Sequence, residues 1–410
     1  MLRYLYCCLL LLLLACNRQA RPYDFPRPVD TTDRPIELQE KKTYAFADST
    51  LLFDNQFAAA RLSGVEQVDD STYRILILPE NEPINPSPWY AMRIRSVGQG
   101  RVVNLRFAYP AGVRHRYYPK ISYDCTQWMP VDSQQVSYTG DSSSIEVRLP
   151  LREGTNYLAG QEIISTQDVN EWAQSFRSPY VRHEEVGRSK LGRVIPVMRI
   201  SAEGRYAHKP MIVLFSRQHP PEVTGYLALQ SFVETILDHP RAEEFLRRYQ
   251  LLVFPILNPD GVDLGHWRHT AGGIDSNRDW AYYNQPEARQ VADYVVRKAR
   301  KNEAEVVLGM DFHSTYYDVY YTPDKESPPS VLPGFTDAWL RGIEAGIGDG
   351  FEVNEDPSPI GRPTSAGWFR TQFNAEGITY EIGDGTDRDF VREKGRVSAE
   401  AMIELLLDRY

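Results

Sequence analysis

The stretch Met211-Ile-Val-Leu-Phe-Ser-Arg-Gln-His219-Pro-Pro-Glu222-Val-Thr-Gly-Tyr-Leu-Ala-Leu-Gln-Ser-Phe-Val-Glu-Thr-Ile-Leu237 decides how this chain folds. Its first five residues are an unbroken apolar run, the length of a strand covered on both faces. Its last fourteen, Thr224–Leu237, carry apolar residues at helical spacing. A strand that passes directly into a helix is the unit from which parallel α/β sheets are assembled. Between the two sit His219 and Glu222, three positions apart, so that both can reach one metal ion from a single turn. Catalytic zinc commonly takes three protein ligands, and two histidines with one glutamate is an established set.

The same rhythm continues downstream. Leu251–Leu257 reads as a strand ending in the turn Asn258-Pro259-Asp260-Gly261, and Pro286–Lys301 as a helix. Strands follow at Val306–Phe312 and Gly377–Ile382, with a closing helix at Ser398–Asp408. Alternating strands and helices predict a mainly parallel mixed sheet flanked by helices over residues 166–410. Upstream, over 36–165, the pattern changes to short strands at Tyr73–Leu78, Tyr90–Ser96, Val102–Ala108, Gln135–Tyr138 and Ile145–Leu149, separated by Pro, Gly, Asn and Asp. No long helical period interrupts them, which predicts an antiparallel β-sandwich.

Further polar groups cluster at the ends of the α/β strands, where open sheets bind ligands. They are His266-Trp267-Arg268, Asp275-Ser276-Asn277-Arg278, Asp311-Phe312-His313-Ser314 and Thr379-Tyr380-Glu381. In this order and at these separations, together with His219 and Glu222, the segments resemble the zinc metallocarboxypeptidases. The resemblance implies a carboxypeptidase-like fold, one Zn2+ per chain held by His219, Glu222 and His313, and a fourth position open for water. It implies Glu381 as general base and acid, since an activated water needs a proton acceptor nearby. Arg268 matches the family arginine facing the oxyanion. Asn277 and Arg278 match the pair that grips the substrate's free C-terminal carboxylate, for which a guanidinium fork is suited. Asp275 matches the position that orients the first histidine. His266 and His269 are read as lining or packing residues, because the ligand set is complete without them.

In the β region, Phe53-Asp54-Asn55-Gln56-Phe57, Asn85-Pro86-Ser87-Pro88-Trp89-Tyr90 and Trp128 are similar to the domain that precedes the enzyme in the cytosolic-carboxypeptidase branch. Two departures stand out. No tyrosine lies between Tyr321 and Tyr380, where many members carry one on a mobile loop. The position matching the branch's basic pocket residue falls near Ser365, which is uncharged; Arg362 and Arg370 are the nearby cations.

At 410 residues and 42% apolar, the chain is long enough for two globular regions. A net charge of −9 argues against a nucleic-acid partner, which would need a basic face. The N-terminus has Arg3, an apolar core Leu5–Leu14 and then Leu13-Leu14-Ala15-Cys16, which resembles a bacterial lipoprotein signal. The expectation is a signal over 1–15, a lipid on Cys16 that holds the protein to the membrane of the bacterial cell envelope, and a tether over 16–35. Cys7 and Cys8 would leave with the signal, so Cys125 would remain as a lone structural thiol without a disulfide. The partner expected is a peptide or protein C-terminus. Cell-wall stem peptides are the alternative substrate, and a non-catalytic surface-binding lipoprotein is the alternative outside enzymology.

Overall fold

The computed structural model describes residues 19–410, apart from Asp349 and the side chain of Glu203. The expected signal and Cys16 lie outside the described residues. Among those described, no helix is long and apolar enough to cross a membrane.

Residues 43–159 form two facing sheets, of six and five strands. Alternation within each strand sends every second side chain inward. Phe53, Met92, Ile94 and Leu158 of the larger sheet meet Tyr73, Ile75, Leu105 and Val147 of the smaller in one core. The pairing is antiparallel except that Thr72–Leu76 runs parallel to Val102–Ala108, so the expected all-antiparallel sandwich is corrected at that one pair. Strands such as Thr43–Phe46 and Lys120–Ser122 escaped the sequence reading because three or four residues are too few to carry a periodic signal.

The second region is a mixed α/β fold around an eight-stranded sheet. From one edge to the other, its strands are Val181–Arg188, Val194–Ile200, Gln250–Phe254, Met211–Ser216, Val306–Thr315, Glu376–Gly383, Val319–Pro323 and Glu355–Ser358. The four central strands pair parallel, as the apolar runs predict. Met211–Ser216 shows why such a run carries no alternation. Ile212 and Leu214 enter the core beneath the helices Val223–Asp238 and Arg388–Arg409, whereas Met211, Val213 and Phe215 enter the core under Pro286–Lys301. Both faces are covered, so Met211–Phe215 are all apolar, and the buried Ser216 that ends the strand donates its hydroxyl to the Phe312 carbonyl. The outer strands were not legible: Val181–Arg188 is largely polar and half-exposed, as edge strands tend to be.

The closing helix begins ten residues earlier than expected, at Arg388. Its charged first half hides a wholly buried Lys394, which pairs with Asp318 at 2.8 Å. The helix Thr166–Ser175 opens on a capping box between Ser165 and Asp168.

The segment expected to be a free tether is, over its described part, docked on the α/β region. Ala20 N–H donates to Asp293, Tyr23 N–H to the Ala281 carbonyl, Arg27 N–H to the Gly361 carbonyl and Arg34 N–H to the Gly272 carbonyl. The Thr31 hydroxyl donates to Asp279, and Phe25 is buried. Its Pro, Arg and Asp content suggested a spacer because backbone hydrogen bonds from an irregular segment leave no periodic trace in sequence.

Candidate active site

The strand Met211–Ser216 delivers the chain to Arg217, whose φ of 53° turns it sharply. The Arg217 guanidinium holds the turn by donating to the Pro220 and Ile164 carbonyls. Glu222 occupies the N-cap position of the next helix but makes no capping bond, so its carboxylate is free to face the cleft. That helix lies close against the strand carrying His313, because a β-carbon at Gly225 would come within 2.3 Å of the His313 carbonyl oxygen. His313 and Glu381 stand side by side in register on neighbouring parallel strands.

The geometry brings His219, Glu222 and His313 together. Their candidate ligand atoms lie within 4.8 Å of one another, and all three residues are buried. His219 Nδ1 is 2.8 Å from Glu222 Oε1, and His313 Nδ1 is 2.6 Å from Glu222 Oε2. The far nitrogens meet carboxylates: His219 Nε2 is 2.9 Å from Asp275 Oδ1, and His313 Nε2 is 2.8 Å from Asp311 Oδ2. With each ring proton on Nε2, both Nδ1 lone pairs point at carboxylate oxygens. Lone pair would then oppose lone pair unless a cation lies among them. Two such nitrogens and a carboxylate fit zinc, with Asp275 and Asp311 as the groups that orient the rings.

Charges around this centre are strongly perturbed. Burial alone would raise the Asp275 carboxyl, but Arg268 and His219 outweigh it and hold it well below its ordinary value. Burial, reinforced by the charge of Glu222, pushes Glu381 up to about 7, and its Oε2 has no hydrogen-bond partner. A divalent cation beside it would act in the opposite direction.

Arg268 donates through Nε to Asp275 Oδ2 at 2.8 Å and lines the cleft. Arg278 also lines it, with one side-chain bond, from Nη1 to the Asn277 carbonyl. Asn277 is more inward than its expected role: its Oδ1 accepts from Ser365 N–H, and its Nδ2 lies 3.2 Å from His313 Nε2. The cleft encloses about 530 Å³. Of the two cations considered near Ser365, Arg370 is turned to the carbonyls of Pro328 and Ala375, while Arg362 is exposed on the cleft wall. His266 and His269 contact neighbouring groups of the loop and Asn81, not the centre.

Several contributors were missed. Asp311 stands two residues before His313 on one strand, and the same-face spacing Asp-x-His was a readable signal. Asn258, quoted only as part of a turn, caps the short helix Pro259–Leu264 and ties the Gln218 and His269 carbonyls together. Arg116, from the β-sandwich, reaches the cleft and binds Asp384, Ser87 and the Ser314 carbonyl. Nothing local in the sequence around Arg116 marks it. Tyr321 lines the cleft on the strand antiparallel to that of Glu381.

A family model described as zinc carboxypeptidase matches residues 169–406, more than half of the chain. Human cytosolic carboxypeptidase 2 is 23% identical over 297 residues, covering 65% of this chain and 33% of the human protein. The zebrafish (Danio rerio) cytosolic carboxypeptidase 2 is 25% identical over 304 residues, covering 65% of this chain and 41% of that protein. The match thus spans about a third to two fifths of these relatives' length. A metallo-carboxypeptidase structure from Burkholderia cenocepacia aligns with 87% of this chain and 99% of its own, at TM-score 0.71 and 20% identity. At that identity the likeness is one of fold, and it extends over the β-sandwich as well as the α/β region.

Proposed function

The chain belongs to the zinc carboxypeptidase family, and from that premise we propose that it removes residues from the free C-termini of peptides. The observation that carries this reading is the convergence of His219, Glu222 and His313 beside the unpartnered carboxylate of Glu381. These three residues would hold the zinc; when bound, it supplies Lewis-acid activation of water and of the scissile carbonyl. Glu381 accepts the proton of the attacking water and returns it to the leaving nitrogen. Arg268, fixed through Nε by Asp275, keeps its two terminal nitrogens for the developing oxyanion. Arg278 takes the substrate's terminal carboxylate, and Asn277 holds the adjoining Ser365 backbone in place.

The lining also suggests which termini suit the cleft. Among the described residues, Arg27, Arg278 and Arg362 all line it and none forms an ion pair with a carboxylate. Cations that line the cleft without anions favour a substrate that brings several carboxylates, that is, a peptide with an acidic end. The purified full chain, incubated with a mixed peptide library and read by mass spectrometry, should shorten free-acid peptides from the C-terminus, those ending in Asp or Glu fastest. Internal cleavage would overturn the reading, and release restricted to D-residues of cell-wall stem peptides would replace the substrate class.

Export and lipid anchoring belong to the same proposal, supported by Leu5–Leu14 and Cys16 in the sequence. Two or more acyl chains give stable anchoring where one is marginal. Cys16→Ser should therefore move the protein from the membrane fraction to the soluble one; unchanged retention would point to another anchor.

A further inference from the structure

We propose that Glu80, in the β-sandwich, is a positioning residue for Arg268, and that the sandwich thereby sets the oxyanion-facing arm of the active site. The inference rests on the catalytic reading of Arg268 given above. Glu80 follows the strand Thr72–Leu76 and is 0% exposed. Its Oε2 accepts from Trp267 N–H at 2.7 Å, and its Oε1 from Arg268 N–H at 3.0 Å and His269 N–H at 2.6 Å. Three consecutive amides of one loop therefore converge on a single carboxylate, an anion nest occupied by a side chain from the other region.

Two neighbouring contacts have the same effect. Trp267 is fully buried and packs within the sandwich's own core rather than within the α/β region. Asn81 meets His269 Nδ1 through Oδ1 at 2.7 Å and donates to the Gly273 carbonyl. The residues on both sides of Arg268 are thus fixed by the sandwich, while its side chain leaves in the other direction, to Asp275 and the cleft.

A carboxylate suits this place better than its amide. It only accepts, and with two oxygens it can satisfy three N–H donors, whereas a glutamine would present its own NH2 to at least one of them. A loop so disturbed would shift the Arg268 guanidinium without removing it. A misplacement on the order of 1 Å at a catalytic group can cost up to about a hundredfold in rate.

The test is a double-mutant cycle on the full zinc-loaded chain, with kcat, KM and zinc content measured. Glu80→Gln should lower kcat by about ten- to a hundredfold with zinc content unchanged and KM altered by less than about threefold. Arg268→Ala should lower kcat by about a hundredfold or more. On the Arg268→Ala background, Glu80→Gln should add less than about twofold, because the group it positions is gone. If the Glu80→Gln protein does not fold, Asn81→Ala replaces it. Asn81 is only partly buried and holds the same loop; it should give a smaller loss with the same non-additivity. Losses that multiply would overturn the inference and leave Arg268 catalytic. Full activity of Arg268→Ala would overturn the role of Arg268 itself, a result separable from the first because it appears in the single variant.

Discussion

The β-sandwich buries Glu80 completely, the eight-stranded sheet leaves Glu381 half-buried at the cleft with its Oε2 shut off from water, and the two carboxylates are treated in opposite ways. Glu80 meets three backbone N–H donors. Burial would raise its carboxyl, but His266, Arg61, His269 and the His269 N–H outweigh burial and hold it below its ordinary value. Glu381 keeps an oxygen with no donor at all, and burial, with the charge of Glu222 beside it, pushes it up to about 7. A buried polar group is normally satisfied because desolvation is otherwise uncompensated. Under the proposed function, the saturated glutamate serves the framework, and the unsatisfied one, beside His219, Glu222 and His313, is the group that would take the proton. Asp311 Oδ1, also without a partner, lies beside the same centre.

The contrast is sharpened first by taking the metal away. A strong chelator should abolish activity and added zinc should restore it, and His313→Ala should lose one zinc per chain while the sandwich keeps its resistance to proteolysis. Full activity without metal would break the account at its base.

A smaller but more discriminating effect is expected from the two glutamates. Glu381→Gln should reduce kcat by at least about a hundredfold, the low end for a positioned acid–base group. It should leave zinc content unchanged and not lower Tm, because no hydrogen bond to Oε2 is lost. Glu80→Ala should instead lower stability by about 1–3 kcal/mol or more, since it leaves buried N–H groups unsatisfied. Calorimetry beside kinetics on both variants checks this; a Tm loss in Glu381→Gln equal to that in Glu80→Ala would erase the distinction.

The smallest effect concerns a saturated carboxylate at the sheet edge. Glu184 accepts from Arg199, Tyr294 and Lys298. Burial opposes them, but these bonds lower its carboxyl to about 2. A lowered folded-state value contributes stability above the ordinary 4.5 that is lost as pH falls toward about 2. Glu184→Gln should therefore lower Tm at pH 7, with the difference shrinking between pH 4.5 and 2; a pH-independent difference would show that its charge is not what matters.

These same contrasts explain what the sequence disclosed. Doubly covered strands such as Met211–Ser216 announce themselves because both faces must be apolar. His219, Glu222, His313 and Glu381 were legible because strand ends place them within short, distinctive segments. Glu80 and Arg116 were not, since each acts across the junction of the two regions, on partners 187 and 268 residues away. The docking of residues 20–34 was hidden for a related reason: Arg27 and Arg34 bind through backbone N–H groups, which every residue but proline possesses. Local pattern reveals what a residue is; it does not reveal a partner supplied from far along the chain.

The central claim, that this cleft recognises a free C-terminus and cuts beside it, is tested most directly with one peptide made as free acid and as C-terminal amide. Loss of a charge partner for a partly buried arginine typically costs about 2–5 kcal/mol, so the zinc-loaded protein should cut the amide at least about thirtyfold more slowly. Arg278→Ala should slow the free acid and narrow that gap. Equal cleavage of acid and amide by the unaltered protein would contradict the account.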